Sequence, residues 1–252
     1  MKNKGQITIF VIVALVIVVA VVFIFFINRG EVTSREQNYD NPESYVDNCL
    51  RDRTSLVIEE MFAGGGFIDA NNTILYQGKE ITYLCKNVNN FEPCINQYPV
   101  YLTQIKKELE REIQDDVEQC FASVKGEFIR KNYKFESGNI GVDVQLKPSI
   151  VEIVISSKVS ISKGDFSKTF SRFETFVPSS IYEIGVIANE IVSQEAQWCH
   201  FSNDGFMILY PEYDIRVTML DDSTKIYTIK DKKTQDKLMM ATRGCALPAG
   251  LF

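Results

Sequence analysis

Twenty-one consecutive positions, Ile7 to Ile27, carry no charged side chain, and Thr8 is their only hydroxyl. At about 1.5 Å of rise per residue, a helix of that length is about 31 Å long, close to the ~30 Å hydrocarbon core of a bilayer. A lone spanning segment must satisfy its own backbone hydrogen bonds, so the pattern predicts a transmembrane helix over 7–27. Asn28 to Asn41 (NRGEVTSREQNYDN) is polar and has no apolar period. It reads as a stalk.

Beyond the stalk the pattern becomes that of a folded domain. Val46, Cys49, Leu50, Val57 and Met61 recur at helical spacing. This predicts a helix from Pro42 to Ala63, with Pro42 in its first turn and Gly64 as a left-handed stop. Thr73–Tyr76 and Glu80–Leu84 flank Gln77-Gly78-Lys79 as a small hairpin. Leu102, Ile105, Leu109, Ile113, Val117, Cys120 and Phe121 step by three and four, predicting a helix from Pro99 to Phe121. Its opposite face, with Lys106, Lys107, Glu108, Glu110, Arg111, Glu112, Asp115 and Glu118, reads as solvated.

After Gly126 the period changes to two. Ile140–Leu146, Ile150–Ile161 and Phe166–Val177 alternate between short turns, as an antiparallel meander does. Pro178 to Trp198 returns to helical spacing, with a stripe of Ile181, Ile184, Ile187, Ala188, Ile191 and Val192 facing the sheet. Tyr213–Leu220 and Thr224–Ile229 form a hairpin around Asp221-Asp222-Ser223, and Leu238–Thr242 adds a strand. The expected fold class is α+β: a transmembrane helix, then amphipathic helices packed on antiparallel sheet. The expected divisions are a cytoplasmic N-terminus (1–6), the spanning helix (7–27), the stalk (28–41), a helical subdomain with a small hairpin (42–126) and an antiparallel sheet with one helix (127–252).

Charge orients the anchor. Lys2, Lys4 and the terminal amine precede it with no acid, whereas Arg29, Glu31, Arg35 and Glu36 balance after it. The positive-inside bias puts residues 1–6 in the cytoplasm and everything after Asn28 outside. A cleaved signal peptide has an apolar region of about 7–15 residues and a small-residue cleavage site. This run is longer, and Phe23-Ile-Phe-Phe-Ile27 offers no such site.

All six cysteines lie after the anchor. An even number outside the cytoplasm reads as a disulfide framework. Val46-Asp-Asn-Cys-Leu50 and Val117-Glu-Gln-Cys-Phe121 are similar pentapeptides on the first two soluble helices. An antiparallel pair of those helices predicts Cys49–Cys120. Cys85–Cys94 would close a short polar loop, and Cys199–Cys245 would tie the third helix to the last strand.

Composition narrows the function. Without Lys2 and Lys4 the chain carries 25 basic against 33 acidic residues, a net charge near −8. That argues against nucleic-acid binding, which needs a basic face. The only histidine, His200, adjoins Cys199, poor geometry for two ligands of one zinc. Trp198-Cys199-His200 as a thiol site is weighed against a helix end with a disulfide, and the disulfide is favoured. Gly64-Gly65-Gly66 follows a helix rather than a strand, so it is a helix stop rather than a phosphate loop. Asp221-Asp222-Ser223 is a turn and not a calcium site. Tyr39, Tyr45, Tyr98 and Tyr101 are candidate exposed aromatics. Asn71-Asn72-Thr73 is a glycosylation sequon at Asn71. No catalytic residue, cofactor or metal is expected.

Lys4-Gly5-Gln6-Ile7-Thr8 ahead of an apolar helix resembles the class III signal of archaeal type IV pilin-like proteins. The resemblance implies cleavage between Gly5 and Gln6 and a helix that enters a filament core. Phe10 stands where such pilins usually carry Glu, and that departure bears on polymerisation. The whole chain also resembles a group of membrane-anchored surface proteins of small-genome archaea. The likeness lies in Tyr45–Leu50, the helix ending in Gly-Gly-Phe, Val-Ser-Ile-Ser-Lys-Gly-Asp at 159–165, and Asp-Asp-Ser-Thr-Lys-Ile-Tyr. It implies location and not an activity. The expectation is therefore a non-enzymatic, single-pass surface protein. Its partners would be the bilayer through 7–27 and an envelope protein or a second copy. A pilin-like subunit is the first alternative, and a thiol protein using Cys199 and His200 the second.

Overall fold

Residues 41–246 are described by a computed structural model; the expected anchor (7–27), most of the stalk and the processing site Gly5–Gln6 lie outside them. Among the described residues, no helix is long and apolar enough to cross a membrane. The architecture is α+β, with helices packed on two sheets. The elements run α1 (Pro42–Ala63), β1 (Thr73–Tyr76), β2 (Lys79–Lys86), β3 (Ile95–Asn96), α2 (Tyr101–Arg130), β4 (Lys134–Ser137), β5 (Gly141–Lys147), β6 (Ile150–Lys163), β7 (Phe166–Pro178), α3 (Ile181–Trp198), α4 (Asn203–Leu209), β8 (Tyr213–Met219), β9 (Lys225–Asp231) and β10 (Lys237–Arg243).

α1 buries Val46, Leu50, Thr54, Ile58, Met61 and Phe62, a stripe close to one residue in four. Its stop differs in detail from expectation. The left-handed residues are Gly65 (φ +79°) and Gly66 (φ +90°), not Gly64. Gly66 donates to the Met61 carbonyl at 2.7 Å, closing the last turn. A Cβ on Gly66 would meet the Tyr101 hydroxyl at 2.7 Å, so glycine also lets the start of α2 approach.

α2 extends past the expected end at Phe121 to Arg130, through Gly126. A helical glycine costs about 1 kcal/mol relative to alanine. Val124 and Phe128, buried on either side of it, offset that cost. The strand period therefore begins only at β4, which the sequence pattern did not resolve. α3 begins at Ile181 rather than Pro178. At Gly185 it packs closely on α2, where a Cβ would meet Leu102 at 2.6 Å.

The four-stranded sheet is antiparallel throughout. β6 pairs with β5 along its first half, with β4 along its second, and with β7 along its other edge. Pro148 and left-handed Ser149 make the β5–β6 turn, and left-handed Gly164 opens the β6–β7 turn. The six-stranded sheet has the order β1-β2-β10-β9-β8, with β3 on β2. It is mixed, which corrects the all-antiparallel expectation: β10 runs parallel to β2, with Ala241 opposite Tyr83 and Thr242 opposite Cys85. Such a pairing joins segments far apart in sequence and leaves no local turn signal. The β1–β2 hairpin is as expected, with Gln77 and Gly78 both left-handed.

The core is continuous across residue 126. One cluster takes Leu50, Ile105, Leu109 and Ile113 from the helices, Ile153 and Ile155 from β6, and Tyr227, Ile229 and Met240 from the larger sheet. A smaller cluster of Ile81, Tyr83, Ile226, Met239 and Ala241 lies on the other face of that sheet. Residues 42–246 belong to one compact unit.

Candidate functional site

All six cysteines are paired, and none is free. Cys49–Cys120 joins α1 to α2 with Cα atoms 5.9 Å apart. Cys85–Cys94 closes the loop after β2, and Cys199–Cys245 links the residue after α3 to the residues after β10. These are the three pairings the sequence implies. Two of them meet at one end of the six-stranded sheet, because β2 and β10 leave that sheet side by side.

The backbone ties the same end together. Asn87 donates to the Arg243 carbonyl at 2.7 Å, Cys245 to Glu92 at 2.6 Å and Phe91 to Ala246 at 3.0 Å. The Arg243 guanidinium reaches two segments, the loop after β2 and the β8–β9 turn. It donates to Asn87 Oδ1 at 2.7 Å, to Asn90 Oδ1 at 3.0 Å and to the Asp222 carbonyl at 3.0 Å. On this braced frame stand exposed apolar side chains: Val88 (79% exposed), Phe91 (61%) and Ile95 (58%). Phe91 is also left-handed (φ +68°), a backbone state unusual for a bulky residue and held here by its neighbours.

Beneath the C-terminal end of α3 lies a buried polar cluster. Glu195 is fully buried. Lys225 Nζ donates to both its carboxylate oxygens, at 2.9 and 2.8 Å, and to the Cys199 carbonyl at 2.7 Å. The Tyr227 hydroxyl donates to Glu195 Oε1 at 2.5 Å. Burial, then the carboxylate beside it, pushes the Tyr227 phenol well above its ordinary range. Each charged or polar tip thus has partners, and the cluster fastens α3 to β9. The apolar stripe of α3 continues one step past Ile191 into Glu195, the one sequence signal that an acid is buried there.

The remaining sequence-predicted residues are scattered. His200 is exposed beside Cys199, which has no free thiol while bonded to Cys245. Asn71 is exposed on the bend before β1. Tyr45 and Tyr98 are half-buried, but Tyr101, expected to be exposed, is buried and donates to the Gly65 carbonyl at 2.8 Å. Burial also pushes its phenol up. Tyr39 lies outside the described residues. Glu108, expected on the solvated face of α2, is buried instead. It accepts from the Ile68 amide at 3.0 Å and from Arg111 at 2.8 Å, capping the loop after α1.

Two grooves flank the second half of α1. One, of about 500 Å³, runs beside Ser55, Glu59, Ser179, Thr234 and Asp236. Its main polar groups are spent on the fold, since Asp236 accepts from the Ser180 amide and hydroxyl at the start of α3. The other, of about 580 Å³, lies along Leu56, Glu60, Phe67, Ile68 and Lys79. Among the described residues no three His, Cys, Asp or Glu side chains are grouped to hold a metal ion. No protein family, curated protein or solved structure matches this chain.

Proposed function

We propose that the chain is a single-pass membrane-anchored protein whose folded part lies outside the cytoplasm and serves a structural or partner-binding role in the cell envelope, without catalysis. The observation that carries this reading is the pairing of every cysteine in a chain that also holds the uncharged apolar run 7–27. Disulfides persist in oxidising compartments, and a run of that length matches a bilayer. The braced end with Val88, Phe91 and Ile95 supports the partner-binding side of the proposal, because apolar side chains held rigidly in solvent bind at low entropic cost. Asn71 is the proposed glycan acceptor. Protease treatment of intact cells tests the topology: fragments from residues after the stalk are released, while the N-terminus stays with the membrane. Protection of the whole chain in intact cells, with cleavage only after lysis, contradicts it.

A second reading, a pilin-like subunit, is favoured by Lys4-Gly5-Gln6 ahead of the apolar run. Native protein lacking residues 1–5 by intact mass selects this reading. A full-length N-terminus selects a static anchor.

A further inference from the structure

Residues 125–136 and 158–168 hold seven basic side chains and three acidic ones, whereas the rest of the chain after Lys4 carries 18 basic against 30 acidic residues. The fold gathers these two segments around one end of the four-stranded sheet. Phe128, near the end of α2, packs on Tyr133 with ring centroids 5.5 Å apart, and Tyr133 makes an edge contact with Phe166 at 6.3 Å. Phe166 pairs with Lys163 across the β6–β7 turn, and Lys134, which opens β4, lies opposite Ser162. Lys163 Nζ donates to the Lys131 carbonyl at 2.9 Å and sits 4.7 Å from the Tyr133 ring centroid. Lys168 Nζ sits 4.5 Å from the Phe170 ring centroid. Neither a carbonyl nor a ring neutralises an ammonium, whereas Arg130 is paired with Glu127. Ile129 (52%) and Phe166 (50%) stand exposed among these cations.

The stalk joins the folded part at the same end. α1 and α2 run antiparallel: Cys49 is bonded to Cys120, and Arg53, one turn further along α1, pairs at 2.6 Å with Asp116, one turn back along α2. Pro42 precedes Cys49 by seven residues, so it lies about 10 Å from that bridge toward the C-terminal end of α2. The stalk, 28–41, has 14 residues and spans at most about 50 Å. A bilayer holding 7–27 is therefore tethered to this end at high effective concentration, and a weak attraction suffices to dock it. The chemistry suits lipid: apolar and aromatic side chains settle at headgroup depth, and lysines lay their stems on apolar surface while their ammonium groups reach phosphate. The acidic remainder of the chain is repelled by anionic lipid, which selects this one orientation. We infer that this end docks on the anionic headgroups of the bilayer that holds the anchor. Ile129 and Phe166 enter the headgroup region, and Lys134, Lys163 and Lys168 meet lipid phosphates. The docking rests on the membrane reading above and adds to it the face that lipid contacts.

The test is tryptophan quenching in the full-length chain, reconstituted in vesicles of equal parts phosphatidylcholine and phosphatidylglycerol with brominated acyl chains. The reporter chain carries Phe166→Trp with Trp198→Phe. The native chain, whose only tryptophan is Trp198, is the reference. Trp198 ends α3, and α3 starts near the opposite end of β6 and β7, where Ile150 pairs with Pro178. Bromine quenches the Phe166→Trp reporter and leaves Trp198 unquenched. Salt at about 1 M, where the Debye length is about 3 Å, lowers the reporter's quenching to the native level. Lys134→Glu with Lys168→Glu does the same, with retention of the three disulfides by mass verifying that the variant folds; the salt arm needs no change to the cations. Extraction with alkaline carbonate separates the two readings. Chains that resist extraction but show a reporter no more quenched than Trp198, or equally quenched in phosphatidylcholine alone, overturn the docking and leave the anchor standing. Chains released by carbonate overturn the anchor and the docking together.

Discussion

Around α2 the fold is held by apolar side chains: Ile105, Leu109, Ile113, Val117 and Val124 are completely buried, and one disulfide, Cys49–Cys120, ties α2 to α1. At the end of the larger sheet where β2 and β10 emerge, apolar side chains point outward instead. That end is held by two disulfides, the Arg243 fork and the Lys225–Glu195 pair. The difference follows from layer geometry. A helix covered by α1, α3 and the four-stranded sheet can bury a whole stripe. A strand exit has neighbours on too few sides for packing to hold it, so covalent and charge-assisted links take over. The braced end is where surface is displayed, and the packed part is what displays it.

The sharpest way to break this contrast is to remove a single group from each region. Glu195→Ala leaves the buried Tyr227 hydroxyl and the partly buried Lys225 without their carboxylate and costs about 3–5 kcal/mol. Ile113→Ala opens a cavity beside the core and costs about 2–5 kcal/mol. Denaturant unfolding of the oxidised protein measures both. A Glu195→Ala loss under about 1 kcal/mol would show that the cluster does not hold α3 to β9.

The disulfides come next and should scale with the loop each closes. Loop-closure entropy gives about 4 kcal/mol for the Cys49–Cys120 separation of 71 residues and for the Cys199–Cys245 separation of 46. It gives only about 2.7 kcal/mol for the separation of 9 at Cys85–Cys94. Paired serine substitutions test the order. A Cys85–Cys94 loss larger than that of Cys49–Cys120 would mean that the braced end depends on its staple for native contacts as well as for chain entropy.

A weaker effect appears at alkaline pH, one phenol reporting on each region. Tyr101 and Tyr227 both have pKa values raised above the ordinary 10.0, chiefly by burial. Their stabilisation is whole below pH 10. It falls as pH rises further, because the unfolded chain then releases protons that the native chain keeps. Phenolate absorbance should therefore show these two tyrosines titrating only as the protein unfolds. Titration of Tyr227 in the still-folded protein, isolated by the Tyr227→Phe variant, would show an open braced end. The smallest effect belongs to Asp143, whose carboxyl is held below its ordinary value chiefly by the hydrogen bond from Lys106. Its contribution is present above about pH 4 and is lost as pH falls lower. As a surface pair it is worth at most about 1 kcal/mol, and salt reduces it. Asp143→Asn measured at low and high salt checks this.

Most of the packed region was readable from periodicity, and the cysteine pairings from helix geometry and loop length. What was not readable depends on distant contacts. The apolar stripe of α2 reads as ending at Phe121, and only distant contacts bury Val124 and Phe128 on both sides of Gly126. Glu108 looked solvated because its amide partners at Ile68 and Asp69 are some forty residues away. The parallel β2–β10 pairing brings together strands more than 150 residues apart, with no turn between them to announce it. The α4 segment, Asn203–Leu209, buries no side chain fully and so shows no apolar stripe. At the braced end the cysteines were legible, whereas the Arg243 fork and the Lys225–Glu195 contact were not. Polar side chains leave no period from which a partner can be inferred.

The proposal of an oxidised domain outside the cytoplasm is tested most directly by counting reactive thiols on intact cells. Whole cells are treated with a membrane-impermeant alkylating reagent, before and after an impermeant reductant, and the protein's intact mass is recorded. The account predicts no alkylation before reduction and six alkylated cysteines after it. Six free thiols in the extracted protein, or cysteines that react only once the membrane is broken, would contradict it.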